Sequence, residues 1–325
     1  MEMSSSNSNN RSIIGIDVAK DKLDVYFLET GEQLCWKNTV GSINAGLAKL
    51  KRAGFKGMVV LEATGGYEKR CQQSLVKAGI AVHVAHPRRV HYFIKQKGYY
   101  GKTDEIDAKA LAEYGYQEAV SASPIKDKKA LEREDLSSRR AQLVEQRSAE
   151  KCRYKEHLSA SVKRSLKRSI KVLDAEIIRI EHALEANVNA DEQLKAKAAL
   201  LLTYKGVGQM IGNVLLSTLP ELGSLNRRQI ACLCGLAPRN CDSGRRQGKR
   251  MIMGGRSYVR KVLYMSALSS IVHNPVMRRY YQRLIETGKA PKVCLTAVMR
   301  KIIITLNAMI RDSKPWQQRV VNTAN

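Results

Sequence analysis

Between residues 127 and 186 the chain contains neither proline nor glycine, and charged side chains crowd the whole run. A segment of that length without a helix breaker is suited to long helix and to little else. Within it Ile170, Leu173, Ile177, Ile180 and Leu184 recur at gaps of three and four, the spacing of a coiled-coil seam. The seam is short, so it fits a helical hairpin within one chain as well as a zipper between two copies. The segment 127–190 therefore divides the chain, and its two flanks read differently.

On the amino-terminal side, residues 12–119 alternate short apolar runs with helical periodicity. Residues 13–16 and 23–27 read as adjacent strands and 33–40 as a third, an antiparallel meander. A helix at 43–53, a buried strand at 58–63, a helix at 67–78 and a strand at 80–85 follow. A further helix at 104–118 is expected, capped by Thr103. A meander followed by alternating helices and strands makes an α/β layer structure. The polar residues 1–11 lack a basic start followed by an apolar stretch, and read as a disordered tail rather than a secretory signal.

On the carboxy-terminal side the pattern is all-α. Residues 200–208, L-L-L-T-Y-K-G-V-G, followed by apolar residues up to Leu219, have the look of a helix-hairpin-helix whose glycine turn offers backbone N–H groups to a phosphate. A plain interhelical turn accounts for them equally well. Helices are expected at 227–233, 258–273, 275–286 and 291–310, with an irregular Gly- and Arg-rich stretch between the first two. The expected division is tail 1–11, α/β domain 12–126, long helical segment 127–190 and helical domain 191–325. Seven cysteines form no paired framework, and Cys232, Cys234 and Cys241 lack the C-x-x-C spacing and the nearby histidine of a zinc site. They read as small apolar residues in a reduced, cytoplasmic protein.

Charge narrows the function. Fifty-six Lys and Arg against thirty Asp and Glu give a net charge of +26, which favours a polyanionic partner over a neutral metabolite. A membrane surface would also attract such a chain, but no lipidation signal or long uncharged apolar stretch supports that reading. In this basic setting four acids stand out: Asp17 in S-I-I-G-I-D, Glu62 in M-V-V-L-E-A-T-G, and Asp104 with Asp107 in K-T-D-E-I-D-A. Each falls at a strand end or a helix start, where the backbone can aim it. Hard oxygen ligands of this kind hold the divalent ions of two-metal phosphodiester sites, roughly 4 Å apart. The plainer account of Asp104 and Asp107 is an acidic first helical turn favoured by the macrodipole. Asp21, Asp24, Glu68 and Glu105 read as solvated surface charges. A G-I-D strand also opens actin-like sugar kinases, but the glycine-rich phosphate loops those need downstream are missing.

Two further constellations are basic. From Ser243 to Lys261 there are seven Lys or Arg, among them Arg245, Arg246, Lys249 and Arg250, and no acid. A serine in such a field can act as a nucleophile on phosphorus, although serine beside glycine is more often a turn residue. Lys163, Arg164, Lys167 and Arg168, in K-R-S-L-K-R-S-I-K, form a helical face suited either to a nucleic-acid backbone or simply to water.

Taken in order, G-I-D-V-A-K, L-E-A-T-G-G-Y, K-T-D-E-I-D-A-K-A-L-A-E-Y, G-L-A-P-R-N-C-D-S-G and R-K-V-L-Y-M resemble the DEDD-type insertion-sequence transposases whose recombination is guided by a bridge RNA. The match runs over nearly the whole chain. The resemblance implies a RuvC-like RNase H fold domain and a helical transposase domain, on either side of the long coiled-coil segment read from the spacing. It implies that Asp17, Glu62, Asp104 and Asp107 bind Mg²⁺, with Mn²⁺ as the alternative, and that Ser243 is the nucleophile. It further implies donor and target DNA and a guide RNA as partners, and a homo-oligomer, dimer or tetramer, whose subunits share a composite site. A RuvC-like nuclease using metal-activated water, and a non-catalytic RNA- and DNA-binding protein, are the competing readings.

Overall fold

A computed structural model describes residues 12–99, 104–240, 242, 248 and 250–317, apart from the side chains of Asp104 and Glu105. The tail 1–11, Thr103, Cys241, Ser243, Arg245, Arg246 and Lys249 lie outside the described residues. The chain divides into two compact units, residues 1–125 and 126–325.

The first unit is built on a five-stranded sheet of order β3-β2-β1-β4-β5. Strands β1 (Ile13–Val18), β2 (Lys22–Phe27) and β3 (Gln33–Lys37) form the expected antiparallel meander, while β4 (Met58–Glu62) and β5 (Ala81–Ala85) run parallel to β1. Alternation along the strands divides the core into two. Ile14, Ile16, Val18, Val59 and Leu61 pack on α1 (Val40–Arg52) and α2 (Glu68–Lys77) on one face. Ile13 and Val60 pack on α3 (Pro87–Gln96) and α4 (Asp104–Gln117) on the other. This is the α/β layer architecture expected from the sequence. The third strand is shorter than expected: it ends at Lys37, and Thr39 caps α1 by accepting from the Ser42 N–H, so α1 begins three residues earlier. Helix α3 was not anticipated.

In the second unit α5 (Lys128–Tyr154) and α6 (Ala160–Asn189) pack together as a hairpin within the chain. Ile177 and Leu184 of the seam are buried, and Arg140–Glu181 (2.7 Å) and Arg147–Asp174 (2.8 Å) join the two helices. The reversal at 155–159 uses neither Gly nor Pro; Ser159 caps α6 by accepting from the Val162 N–H. The helical segment groups with α7 (Glu192–Leu202), α8 (Gln209–Thr218), α9 (Arg227–Leu233), α10 (Ser257–His273), α11 (Pro275–Glu286) and α12 (Pro291–Asp312).

The axis of this unit is α12, whose Val298, Ile302, Ile303 and Leu306 are fully buried. Contrary to the expectation from sequence, α12 is long and apolar enough to cross a membrane by length and composition, but it serves here as a core helix packed against α7, α9, α10 and α11. At the α7–α8 turn the Val207 N–H is bonded to the Tyr204 carbonyl at 3.0 Å, so that amide is not offered outward to a phosphate.

Candidate active site

The placement of the acids follows from the contact between α4 and β1. A β-carbon on Gly15 would collide with the Ala108 carbonyl oxygen and the Ala112 amide nitrogen, so glycine alone lets the helix backbone rest on the strand. Further along, Gly115 lies against Ile13 and Val60. Helix α4 therefore runs opposite to β1, and its first turn lies beyond Gly15 toward the strand's carboxyl end. Asp17 is two residues past Gly15 and shares its face; Glu62 is two residues past Val60 and shares that same face. Strands β1 and β4 are parallel neighbours with Ile16 opposite Leu61, so Asp17 and Glu62 end side by side.

Four residues of helix climb about 6 Å, close to the ~6.6 Å spanned by two residues of strand. The α4 turn that starts at Asp104 and includes Asp107 thus sits level with Asp17. Asp17, Glu62 and Asp107 are each half-buried. All three are carboxylates, oxygen groups of the kind that suit hard divalent ions. Among the described residues no group of three or more His, Cys, Asp and Glu side chains stands close enough to hold an ion; the Asp104 side chain lies outside the described residues.

Glu68 corrects the expectation of a solvated charge. It is only 9% exposed and accepts from the Thr64 N–H (3.1 Å), the Thr64 hydroxyl (3.4 Å) and the Gly66 N–H (2.8 Å). It thereby folds the T-G-G loop that leaves β4 immediately after Glu62. Asp24 is not free either: its side chain is 15% exposed and pairs with Lys22 at 3.1 Å. Neither role was visible in the sequence, because both depend on the way a loop and a strand pair close.

Ser243 belongs to the connection between two short strands, β6 (Pro238–Arg239) and β7 (Met251–Ile252), which pair antiparallel. The stretch expected to be irregular thus has a paired stem. Its base is fixed firmly. Gly235 and Gly255, both at positive φ, cross so closely that a β-carbon on either would strike the other glycine's neighbourhood. The Arg256 N–H donates to the Leu233 carbonyl at 2.9 Å, and Arg260 reaches the Gly254 carbonyl. The Arg256 guanidinium grips Glu221 with two hydrogen bonds of 2.7 and 2.6 Å and the Thr218 carbonyl with a third of 2.8 Å. Burial works to raise the Glu221 carboxyl, but the hydrogen bonds and charge of Arg256 outweigh it and hold Glu221 below the usual range. Cys234 is a core residue, as expected, with its thiol pushed up to about 12 by burial; Cys232, two residues earlier, is exposed, against expectation.

The basic stretch Lys163–Arg168 lies at the start of α6, next to the α5–α6 reversal. Lys163 and Lys167 stand 6.0 and 5.7 Å from the Tyr154 ring centroid. Arg164, Lys167 and Arg168 are exposed, and the ring gathers like charges at the hairpin tip.

Comparison with known proteins bears on the family. A family model described as a transposase, of the DEDD IS110 type, matches residues 14–162, and a second, described as transposase IS116/IS110/IS902 family, matches residues 198–282. The chain belongs to the IS110 family of transposases. Members similar to it include the pilin gene-inverting proteins of Moraxella lacunata and Moraxella bovis, 28% and 27% identical, each alignment covering 95% of this chain and 99% of the relative. A 43.6 kDa protein of insertion element IS110 from Streptomyces coelicolor is 31% identical over 42% of this chain and 35% of its own length. Among solved structures, Thermus thermophilus RuvC in complex with a Holliday junction substrate aligns with 36% of this chain and 100% of its own, at 17% identity and a TM-score of 0.28. The first model covers the sheet unit and α5 and ends at the start of α6, and the second lies within the helical unit and spans the serine connection.

Proposed function

We propose that this IS110-family transposase cuts and rejoins DNA through a covalent bond between Ser243 and a DNA phosphate, with Asp17, Glu62, Asp104 and Asp107 holding Mg²⁺ and a bridge RNA choosing the donor and target sites. The observation that carries the reading is the alignment of Asp17, Glu62 and the first turn of α4 on one sheet face, made possible by Gly15. The RNA, the serine and the sharing of the site between subunits of a cytoplasmic homo-oligomer come from the motif resemblance. Bound there, the metal ions would neutralise charge on the phosphate under attack.

The rest of the chemistry belongs to the chain. The Ser243 hydroxyl gives up its proton, its oxygen bonds to phosphorus, and the displaced sugar oxygen leaves and takes up a proton. One phosphoester replaces another, so the bond energy is kept and the reverse step can join a new strand without ATP. The cationic side chains around the serine lower the cost of its alkoxide and of the developing phosphorane charge. The paired stem and crossed glycines beneath the connection fix where it emerges from the helical unit.

A nicked suicide DNA substrate tests this. The parent chain should form a covalent adduct that maps to Ser243, and Ser243→Ala should bind nucleic acid yet form none. An adduct on another residue in Ser243→Ala would sink the assignment. Cleavage by Ser243→Ala at the parent rate, with no adduct, would make the protein a nuclease that uses water.

A further inference from the structure

Beside the stem of the serine connection the helical unit has an open cavity of about 380 Å³ lined by Arg228, Cys232, Ala237, Pro238, Asn240, Arg250 and Arg300. Its three guanidinium-bearing residues come from three separate elements. Arg228 lies on α9, one helical turn before Cys232 and on the same face. Arg250 immediately precedes β7, and Arg300 reaches in from the core helix α12, where it is half-buried. Asn240 and the backbone around Pro238 complete the polar wall.

No carboxylate is among the described residues of this lining. That arrangement calls for an occupant. Guanidinium groups remain protonated at any physiological pH, so three of them around one cavity repel one another unless an anion sits between them. Their planar forks match the oxygens of a phosphate, and a half-buried member strengthens such charge-assisted bonds because water screens it less. Alanine and proline make up the apolar remainder of the lining, a surface that tolerates a sugar edge. The cavity exceeds what a bare anion requires.

We infer that Arg228, Arg250 and Arg300 form a subsite for a backbone phosphate of a DNA strand, beside the connection that carries Ser243. The choice of DNA rests on the function proposed above; the phosphate chemistry rests on the cavity alone. The subsite would hold a phosphate of the bound strand, fixing the strand's register before any bond is broken. It would act on binding, and its signature is separable from the chemical step.

Cys232 provides the readout, since its exposed thiol lines the cavity while the exposed Cys35 on β3 belongs to the other unit. In the full-length protein, alkylation of the two thiols by N-ethylmaleimide would be followed by peptide mass spectrometry, with and without a short single-stranded DNA. DNA should slow alkylation of Cys232 about tenfold or more and leave Cys35 unchanged. Arg300→Gln and Arg228→Gln should each weaken the DNA affinity behind this protection by about tenfold and make its salt dependence shallower by about one phosphate.

Protection by inorganic phosphate but not by DNA would overturn the proposal in favour of a free-anion site, and protection by RNA but not DNA would overturn it in favour of the guide. Equal protection of Cys35, or none at Cys232, would also refute it. Ser243→Ala keeps the cavity intact, so DNA should still protect Cys232 in that variant. Loss of the adduct with protection retained would separate the subsite from the nucleophile, and an adduct formed without protection would leave the nucleophile standing and remove the subsite.

Discussion

The two regions that this reading joins are held in place by opposite means. The carboxylates of the sheet unit stand on regular elements: two parallel strand ends and one helix start, locked by a helix lying directly on a glycine. Ser243 belongs to the connection between two short strands, and the base of that stem is fixed by crossed glycines and the Arg256–Glu221 pair. A metal site gains from rigidity, because hard ions demand fixed ligand positions. For the serine connection, the described residues supply the fixed base of the stem. The contrast implies that damage to the sheet unit spreads from the packing of α4 on β1 to the acids, whereas the base of the stem can be weakened by removing one ion pair.

The largest effect tests whether the regions are separate halves of one catalyst. Asp17→Asn and Ser243→Ala should each lower recombination by something on the order of 10⁴-fold, as expected when one member of a catalytic group is removed. If the halves come from different subunits, mixing the two inactive variants should restore a substantial fraction of parent activity through oligomers that contain one intact pair. Mixtures as inactive as either variant alone would place both halves on the same subunit.

Next in size is the cost of disturbing the mount of the acids. Gly15→Ala puts a β-carbon into the backbone of α4, which cannot move like a flexible side chain, and should destabilise the protein by about 3 kcal/mol. Gly65→Ala, in the loop after β4, meets nothing within 4 Å and should cost only about 1 kcal/mol, from its positive φ of 71°. Denaturant titration of both variants checks the ratio. Equal costs would mean that the close approach of α4 does not govern this unit.

These differences also explain what the sequence disclosed. The five strands and the start of α4 were legible because alternation and apolar runs record burial locally, and the sheet face of Asp17 and Glu62 follows from that alternation. Helix α3 was not read because P-R-R-V-H-Y-F-I-K-Q is dominated by polar residues and buries little besides Val90 and Phe93; Pro87 at its first turn was the available signal. The reversal at 155–159 was hidden because helices can end on ordinary residues, here Lys155 in a right-handed conformation, leaving only the Ser159 cap as a sign. Glu68 was misjudged because its partners are backbone N–H groups of a loop, which carry no sequence mark. Arg228 and Arg300 are far apart in the chain and come together only through the packing of α9 on α12.

The smallest effect concerns the stem's anchor and its pH dependence. Glu221 is held below the usual carboxylate range by Arg256, so its folded form favours the ionised state more than the unfolded chain does. Stability from this source is fully present above the unfolded value, near 4.5, and is lost as pH falls through the lower folded value. About a third of the Glu221 side chain is exposed, so solvent screening reduces the contribution to about 1 kcal/mol despite the two-pronged geometry. Glu221→Gln should therefore be less stable than the parent by that amount at pH 7, and the difference should shrink toward zero below pH 4. Urea titrations of both proteins at the two pH values measure it. A gap that persists in acid would assign the anchor to hydrogen bonding that survives protonation.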